Sequence, residues 1–254
     1  MLIWLAAIAV GVSLGLLGSG GSILTVPILV YLVEEPEKVA IAESLAIVGT
    51  IAAAAVVPFA VKKRVEWRTV ALFGVPGMAG AYLGAGLSKF LPGSVQLLAF
   101  AVVLLVAALI MLRPPPSART TASRRHGSAI IMLEGLFVGV VTGLVGVGGG
   151  FLIVPALVLL GGLTMHQAVG TSLAIIALKS ATGFYKYLDV LSQADLSVSW
   201  NIVYLFAALG IVGSFAGGAI AHRLPQLVLQ RVFAVLLIAM GLFIISSSLG
   251  SLPG

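Results

Sequence analysis

Residues 15–27, "GLLGSGGSILTVP", and residues 143–155, "GLVGVGGGFLIVP", set clustered glycines and a closing proline inside a chain that is otherwise apolar. Gly18, Ser19, Gly20, Gly21 and Ser22 of the first segment correspond to Gly146, Val147, Gly148, Gly149 and Gly150 of the second. Glycine supplies chemistry here by leaving the backbone bare. It adopts left-handed dihedrals freely and lets another group approach the peptide closely. A helix that begins at such a cluster presents N–H groups with no acceptor of their own, and its dipole adds partial positive charge. The combination is a cradle for an anion, made of amides rather than of a fixed cation. Glycine also serves simply to bring membrane helices together, and GxxxG spacing is a weak pattern. Recurrence of the whole cluster at matching places favours the cradle.

Other polar residues lie downstream of each cluster. Ser44 and Ser172 head the repeated run "SLAI", preceded by Glu43 and Thr171. Hydroxyls at Ser44, Thr171 and Ser172 can complete an anion's hydrogen bonds, or can bond back to their own helix carbonyls. Lys179 interrupts an apolar run about two turns beyond Ser172, where the first half has Ile51. A charge at such a depth is costly and is usually functional or paired. Three roles stay open for it: attracting the anion, neutralising Glu43 or Glu134, or snorkelling to an interface. Glu43 and Glu134 are the carboxylates placed to carry a coupled proton, although nothing in their spacing demands it.

The elements that must position these residues are membrane helices. Of 254 residues, 60% are apolar and 9% charged, against about 25% charged in a soluble domain. Runs such as "LLAFAVVLLVAALIML" (97–112) are continuous rather than alternating, which excludes β-barrel strands. The chain has no cysteine, so thiolate and disulfide chemistry is absent. The net charge of +6 sits in short loops, where topology accounts for it without nucleic acid. The three histidines show no metal-ligand spacing, and no serine has a partnered histidine and carboxylate. The reading is therefore not an enzyme, with no cofactor and no metal. Residues 1–17 lack a basic leader and do not read as a cleaved signal peptide.

The chain is duplicated. At a shift of 128, residues 15–55 align with 143–183 without a gap, and 17 of 41 positions are identical. Residues 1–112 and 129–254 read as two repeats joined by a polar cytoplasmic linker, 113–128. Each has three ordinary spans: roughly 39–61, 69–90 and 94–112, then 165–188, 197–221 and 227–249. As one helix, residues 2–33 would run about 48 Å at ~1.5 Å per residue, too long for a ~30 Å hydrocarbon core. Two short helices, 2–17 and 22–33, meeting at a bend within the membrane fit better, and 129–145 with 150–161 repeat them. If the bends turn back, the repeats are inverted; if they cross, the repeats are parallel. Inversion puts "KKRVEWR" (62–68), the linker, Arg223 and Arg231 inside, with "EEPEK" (34–38) and Asp189 and Asp195 outside. The charge distribution favours it. The expected fold is thus an all-α polytopic membrane protein of two inverted repeats, each a glycine-broken helix hairpin plus three transmembrane helices.

The paired "GLLGSGGSILTVPIL" and "GLVGVGGGFLIVPAL", each followed by "SLAI", resemble the TauE/SafE sulfite exporter family over nearly the whole chain. The resemblance implies a multi-pass permease of the bacterial inner (plasma) membrane that exports sulfite or organosulfonates. It carries the family's glycine motif onto Gly18, Gly20 and Gly21 and onto Gly146, Gly148, Gly149 and Gly150. Ser19 and Ser22 stand where the second copy has Val147 and Gly150, so the two cradles differ in polarity. The function expected is a secondary transporter of small sulfur-containing anions working by alternating access. The alternative is a passive anion channel using the same cradles as a filter. The partners expected are a small anion and the lipid bilayer; self-association into a homo-oligomer is left open.

Overall fold

The computed structural model describes residues 2–112, 128–145, 150–160, 162–221 and 223–250, and these are helices joined by short turns. The chain opens with α1 (Leu2–Leu17) and α2 (Gly20–Tyr31), followed by α3 (Glu37–Val61), α4 (Trp67–Phe90) and α5 (Gly93–Met111). Then come α6 (Ser128–Val145), α7 (Gly150–Pro155, continued by a π turn at Ala156–Leu160), α8 (Met165–Ser192), α9 (Trp200–Ala221) and α10 (Gln226–Gly250). Among the described residues, seven helices (α3–α6 and α8–α10) are long and apolar enough to cross a bilayer. Gly146, Gly148, Gly149 and the linker 113–127 lie outside the described residues.

Residues 2–33 do not form one rod. α1 ends at Leu17, and Gly18, with φ 74°, turns the chain into the left-handed region. α2 then runs back along α1: Gly20 lies against Ser13, and Gly21 against Leu14 and Val10. With 16 and 12 residues, the two arms span about 24 and 18 Å at ~1.5 Å per residue, each short of a ~30 Å core. Pro27 has no N–H to give Ile23, and the hydroxyls of Ser22 and Thr25 bond to the carbonyls of Ser19 and Gly21 (2.7 and 2.6 Å). After α2 and after α7 the chain closes in the same way. Glu34 and Gly162, 128 residues apart, both have φ 65°. Glu35 N–H donates to the Leu29 carbonyl and Leu163 N–H to that of Leu157, each at 3.0 Å.

Most of the packing joins residues 2–112 to residues 128–250. α1 lies along α9 in parallel, with Gly11 on Gly210 and Gly15 on Ser214 and Gly218. α4 lies along α6 in parallel, with Phe73 on Gly135, Gly77 on Gly139 and Ala81 on Gly143. Backbone meets backbone along both seams because small residues at four-residue spacing remove the side chains that would hold them apart. α3 and α8 cross antiparallel, Leu45 beside Gly183 and Gly49 beside Ser180. α5 and α10 are also antiparallel: Gly241 rests on Leu105 and Ala101, and Gln230 Nε2 donates to the Met111 carbonyl at 2.8 Å.

The α4–α6 seam leaves no room for a side chain. Gly139→Leu should therefore cost about 1–3 kcal/mol or more through overpacking, seen as a lower melting temperature of the detergent-solubilised protein. Gly86→Ala is the control: a methyl there meets only Lys186 Cε, at 3.7 Å, and its melting temperature should equal the parent's or exceed it.

The two ends of the molecule differ in charge. Glu34, Glu35, Glu37, Asp189 and Asp195, with Lys38, Lys89 and Lys186, gather at one end, which Lys38 Nζ ties to the Ser88 carbonyl (3.3 Å). At the other lie Lys62, Lys63, Arg64, Arg68 and Arg223, with Glu66; there His166 Nε2 meets the Ala221 carbonyl at 3.2 Å.

Candidate functional site

The bend between α1 and α2 is buried against the start of α7. Ser19 is 0% exposed and precedes the first turn of α2, and its Cβ packs on the Cα of Gly150, where α7 begins. Ile176 of α8 closes the other side of Gly150. Gly20 and Gly21 open α2, so their N–H groups have no acceptor within that helix. The Ser19 hydroxyl is buried without a hydrogen-bond partner. A buried hydroxyl that bonds nothing costs free energy, and this one lies at the N-terminal end of a 12-residue helix, where the dipole is positive.

Ser172 locks the bend from α8. Its Oγ lies 2.9 Å from the Gly18 carbonyl and 2.9 Å from that of Val169, an O–H that chooses between two acceptors. Its counterpart Ser44 is buried in α3, with its Oγ donating to the Ile41 carbonyl at 2.8 Å. Thr171 points away from the bend: its Oγ1 accepts the N–H of Glu66, just ahead of α4, at 3.0 Å. Of the sequence-derived candidates, the fold thus brings together Gly18, Ser19, Gly20, Gly21, Ser22, Gly150 and Ser172.

Lys179 stands apart, seven residues further along α8, about 10 Å at ~1.5 Å per residue. It is 1% exposed, and its Nζ donates to Thr142 Oγ1 at 3.0 Å. The two line a cavity of about 10 Å³ with Leu45, Ala81, Gly143 and Gly183, room for roughly one water. Among the described residues no carboxylate pairs with Lys179. Glu43, weighed as its partner, is fully buried at the acidic end and accepts the Ser199 N–H through Oε1 at 2.7 Å. Glu134 sits half-buried near the start of α6.

Sequence reasoning missed several polar residues. Thr142, the hydroxyl that holds Lys179, immediately precedes the second glycine cluster, and its position was the signal available. Tyr187 and Gln96 form a second buried pair beside it, Gln96 Nε2 donating to Tyr187 Oη (3.0 Å) and to the Leu144 carbonyl (2.6 Å). Ser180, whose hydroxyl is buried without a partner, lines a cavity of about 500 Å³ between α3, α8 and α9 that Phe184, Trp200 and Tyr204 wall.

A bundle of apolar spans, entered by a short helix hairpin with a buried polar turn at its tip, is the build of a multi-pass membrane protein. The chain belongs to the sulfite exporter TauE/SafE family, whose pattern it matches over residues 3–244. It is 35% identical over 251 residues to a probable membrane transporter protein of Xylella fastidiosa, covering 96% of this chain and 94% of the relative. A probable membrane transporter protein of Methanocaldococcus jannaschii is 26% identical, with 94% of each chain covered. One of Bacillus subtilis is 25% identical over 89% of this chain and 90% of its own. No solved structure matches the chain.

Proposed function

We propose that this membrane transporter moves a small sulfur-containing oxyanion, sulfite or an organosulfonate, and holds it at the glycine bend. The observation that carries the reading is the Ser19 hydroxyl, buried and unpartnered at the N-terminus of α2. With the N–H groups of Gly20 and Gly21, which open α2, it offers an anion three donors. Gly150 and Ser172 border this site; Gly146, Gly148 and Gly149, which lie outside the described residues, are assigned to it by the repeated motif alone, as Ser44 is by the repeated "SLAI" run. Lys179 contributes through space, since one unit charge at ~10 Å is worth about 1.7 kcal/mol at an effective dielectric constant of ~20.

Alternating access between two inverted repeats, residues 1–112 and 129–254 joined by a cytoplasmic linker, is the mechanism we favour. Three observations support it. α3 and α8, which hold equivalent places in the two repeats, run antiparallel, as do α5 and α10. The pairing of α1 with α9 is matched by that of α6 with α4. The basic residues collect at the end from which the linker leaves, the pattern of a cytoplasmic face in a plasma membrane. These pairings are those expected of two repeats related by a pseudo-two-fold axis, and secondary transporters bind substrate at such repeat interfaces.

Saturable sulfite uptake into proteoliposomes, compared with and without a proton gradient, tests the reading. Flux that rises without saturating would favour the channel alternative, and no flux would end the sulfite assignment. Ser19→Ala should raise the half-saturating sulfite concentration about tenfold or more, because a hydrogen bond to a charged group is worth ~1.5–3 kcal/mol. Its melting temperature should not fall, since the hydroxyl bonds no protein group.

A further inference from the structure

Two hydrogen bonds at opposite ends of the molecule are counterparts. At the basic end Thr171 Oγ1 of α8 accepts the N–H of Glu66, the residue before Trp67 and α4. At the acidic end Glu43 Oε1 of α3 accepts the N–H of Ser199, the residue before Trp200 and α9. Glu43 and Thr171 hold the same place ahead of "SLAI" at a shift of 128. Each bond ties a helix of one half to the entry of a helix in the other.

A neutral hydroxyl therefore suffices for this tie, yet at one end a carboxyl makes it. The carboxyl brings more than the tie needs. Glu43 is 0% exposed, and its second oxygen, Oε2, has no hydrogen-bond partner. Ser199 Oγ donates to Glu35 Oε1 at 3.0 Å, so two carboxyls converge on one serine. The charged groups around them offer no compensation. Lys38 Nζ is turned to the Ser88 carbonyl, and on α8 Lys186 is paired with Asp189 at 2.9 Å. α9 presents Ser199 itself, and among the described residues Glu35 is the charge whose field reaches Glu43. Two ionised carboxylates here would repel, and the buried one would carry an unpaired oxygen.

We propose that Glu43, Glu35 and Ser199 form a proton-binding site on the contact between α3 and the start of α9. With the proton bound, Glu43 keeps its acceptor oxygen on the Ser199 N–H while its O–H satisfies the second oxygen, and the end stays closed. Loss of the proton leaves two carboxylates facing each other across Ser199, and the contact parts. The tie at Thr171 is a hydroxyl accepting a backbone N–H, so that bond has no proton to lose as Glu43 has. The proposal rests on the two halves moving against each other, and it gives the transport cycle a proton-dependent gate at one end alone.

The absence of cysteine makes the test direct. Spin labels on cysteines placed at Glu34 and Ser197 report the acidic end, and labels at Lys63 and Arg223 report the basic end. In the parent, the first distance should be short at acidic pH and lengthen as pH rises, while the second stays constant. Glu43→Gln should hold the first distance short at every pH, and Glu35→Gln should move its transition to higher pH. A first distance indifferent to pH in the parent, or one that still responds in Glu43→Gln, overturns the proposal. Should Glu43→Gln not fold, an unmoved transition in Glu35→Gln overturns it equally. The distances require no sulfite, so a parent that fails to transport sulfite counts against the anion reading and not against this site.

Discussion

Gly18→Ala should abolish transport and lower the melting temperature. Gly18 has φ 74°, a region that costs an L-residue ~1–2 kcal/mol. A Cβ there would lie 2.6 Å from Ser172 Oγ and 2.7 Å from the Val169 Cα. Neither neighbour can give way, because Ser172 bonds the Gly18 carbonyl and Val169 is helix backbone. Overpacking of this kind adds ~1–3 kcal/mol, so the total loss is about 2–5 kcal/mol. Thermal unfolding in detergent reads the stability, and flux in proteoliposomes reads the function. Ser22→Ala is the comparison: its hydroxyl bonds only the carbonyl of Ser19 three residues back, and the loss should be small. Parent-like melting and flux in Gly18→Ala would mean that the bend does not depend on that conformation.

Lys179→Met should separate charge from packing. The ammonium is buried and rests on a single described hydrogen bond to Thr142. Replacing a buried charge with an apolar group of similar volume is often neutral or stabilising, so the melting temperature should hold or rise. If the charge draws the anion through ~10 Å of low-dielectric interior, its loss removes about 1.7 kcal/mol, a rise of more than tenfold in half-saturating sulfite. Thr142→Ala should fall between the two, since it keeps the charge and frees its position. A rise in stability with unchanged sulfite dependence would assign Lys179 to packing alone.

The bend at Gly18 was legible because it is written twice. A run too long for the bilayer, interrupted at matching places by glycine, leaves a break as the economical solution, and α1 ends at Leu17 as expected. Helix ends were read less well. α8 continues to Ser192 rather than 188, because "DVLS" keeps the helical alternation of apolar residues after the chain has left the most hydrophobic stretch. What could not be read is which helix meets which. Thr171 was expected at the anion and instead accepts from Glu66, 105 residues earlier; Lys179 finds Thr142, 37 residues earlier. Such partners follow from how the halves interlock, and no local pattern encodes that.

The glycine-lined seam between α1 and α9 has a consequence for how the chain is made. Gly11 waits for Gly210, roughly 200 residues later, or about 10–40 s at ~5–20 residues per second. Until then the first hairpin leaves the ribosome with a bare stripe of peptide turned to lipid or to whatever shields it. The seam between α1 and α9 can close only once α9 has been made, so the first hairpin reaches its final packing late in synthesis.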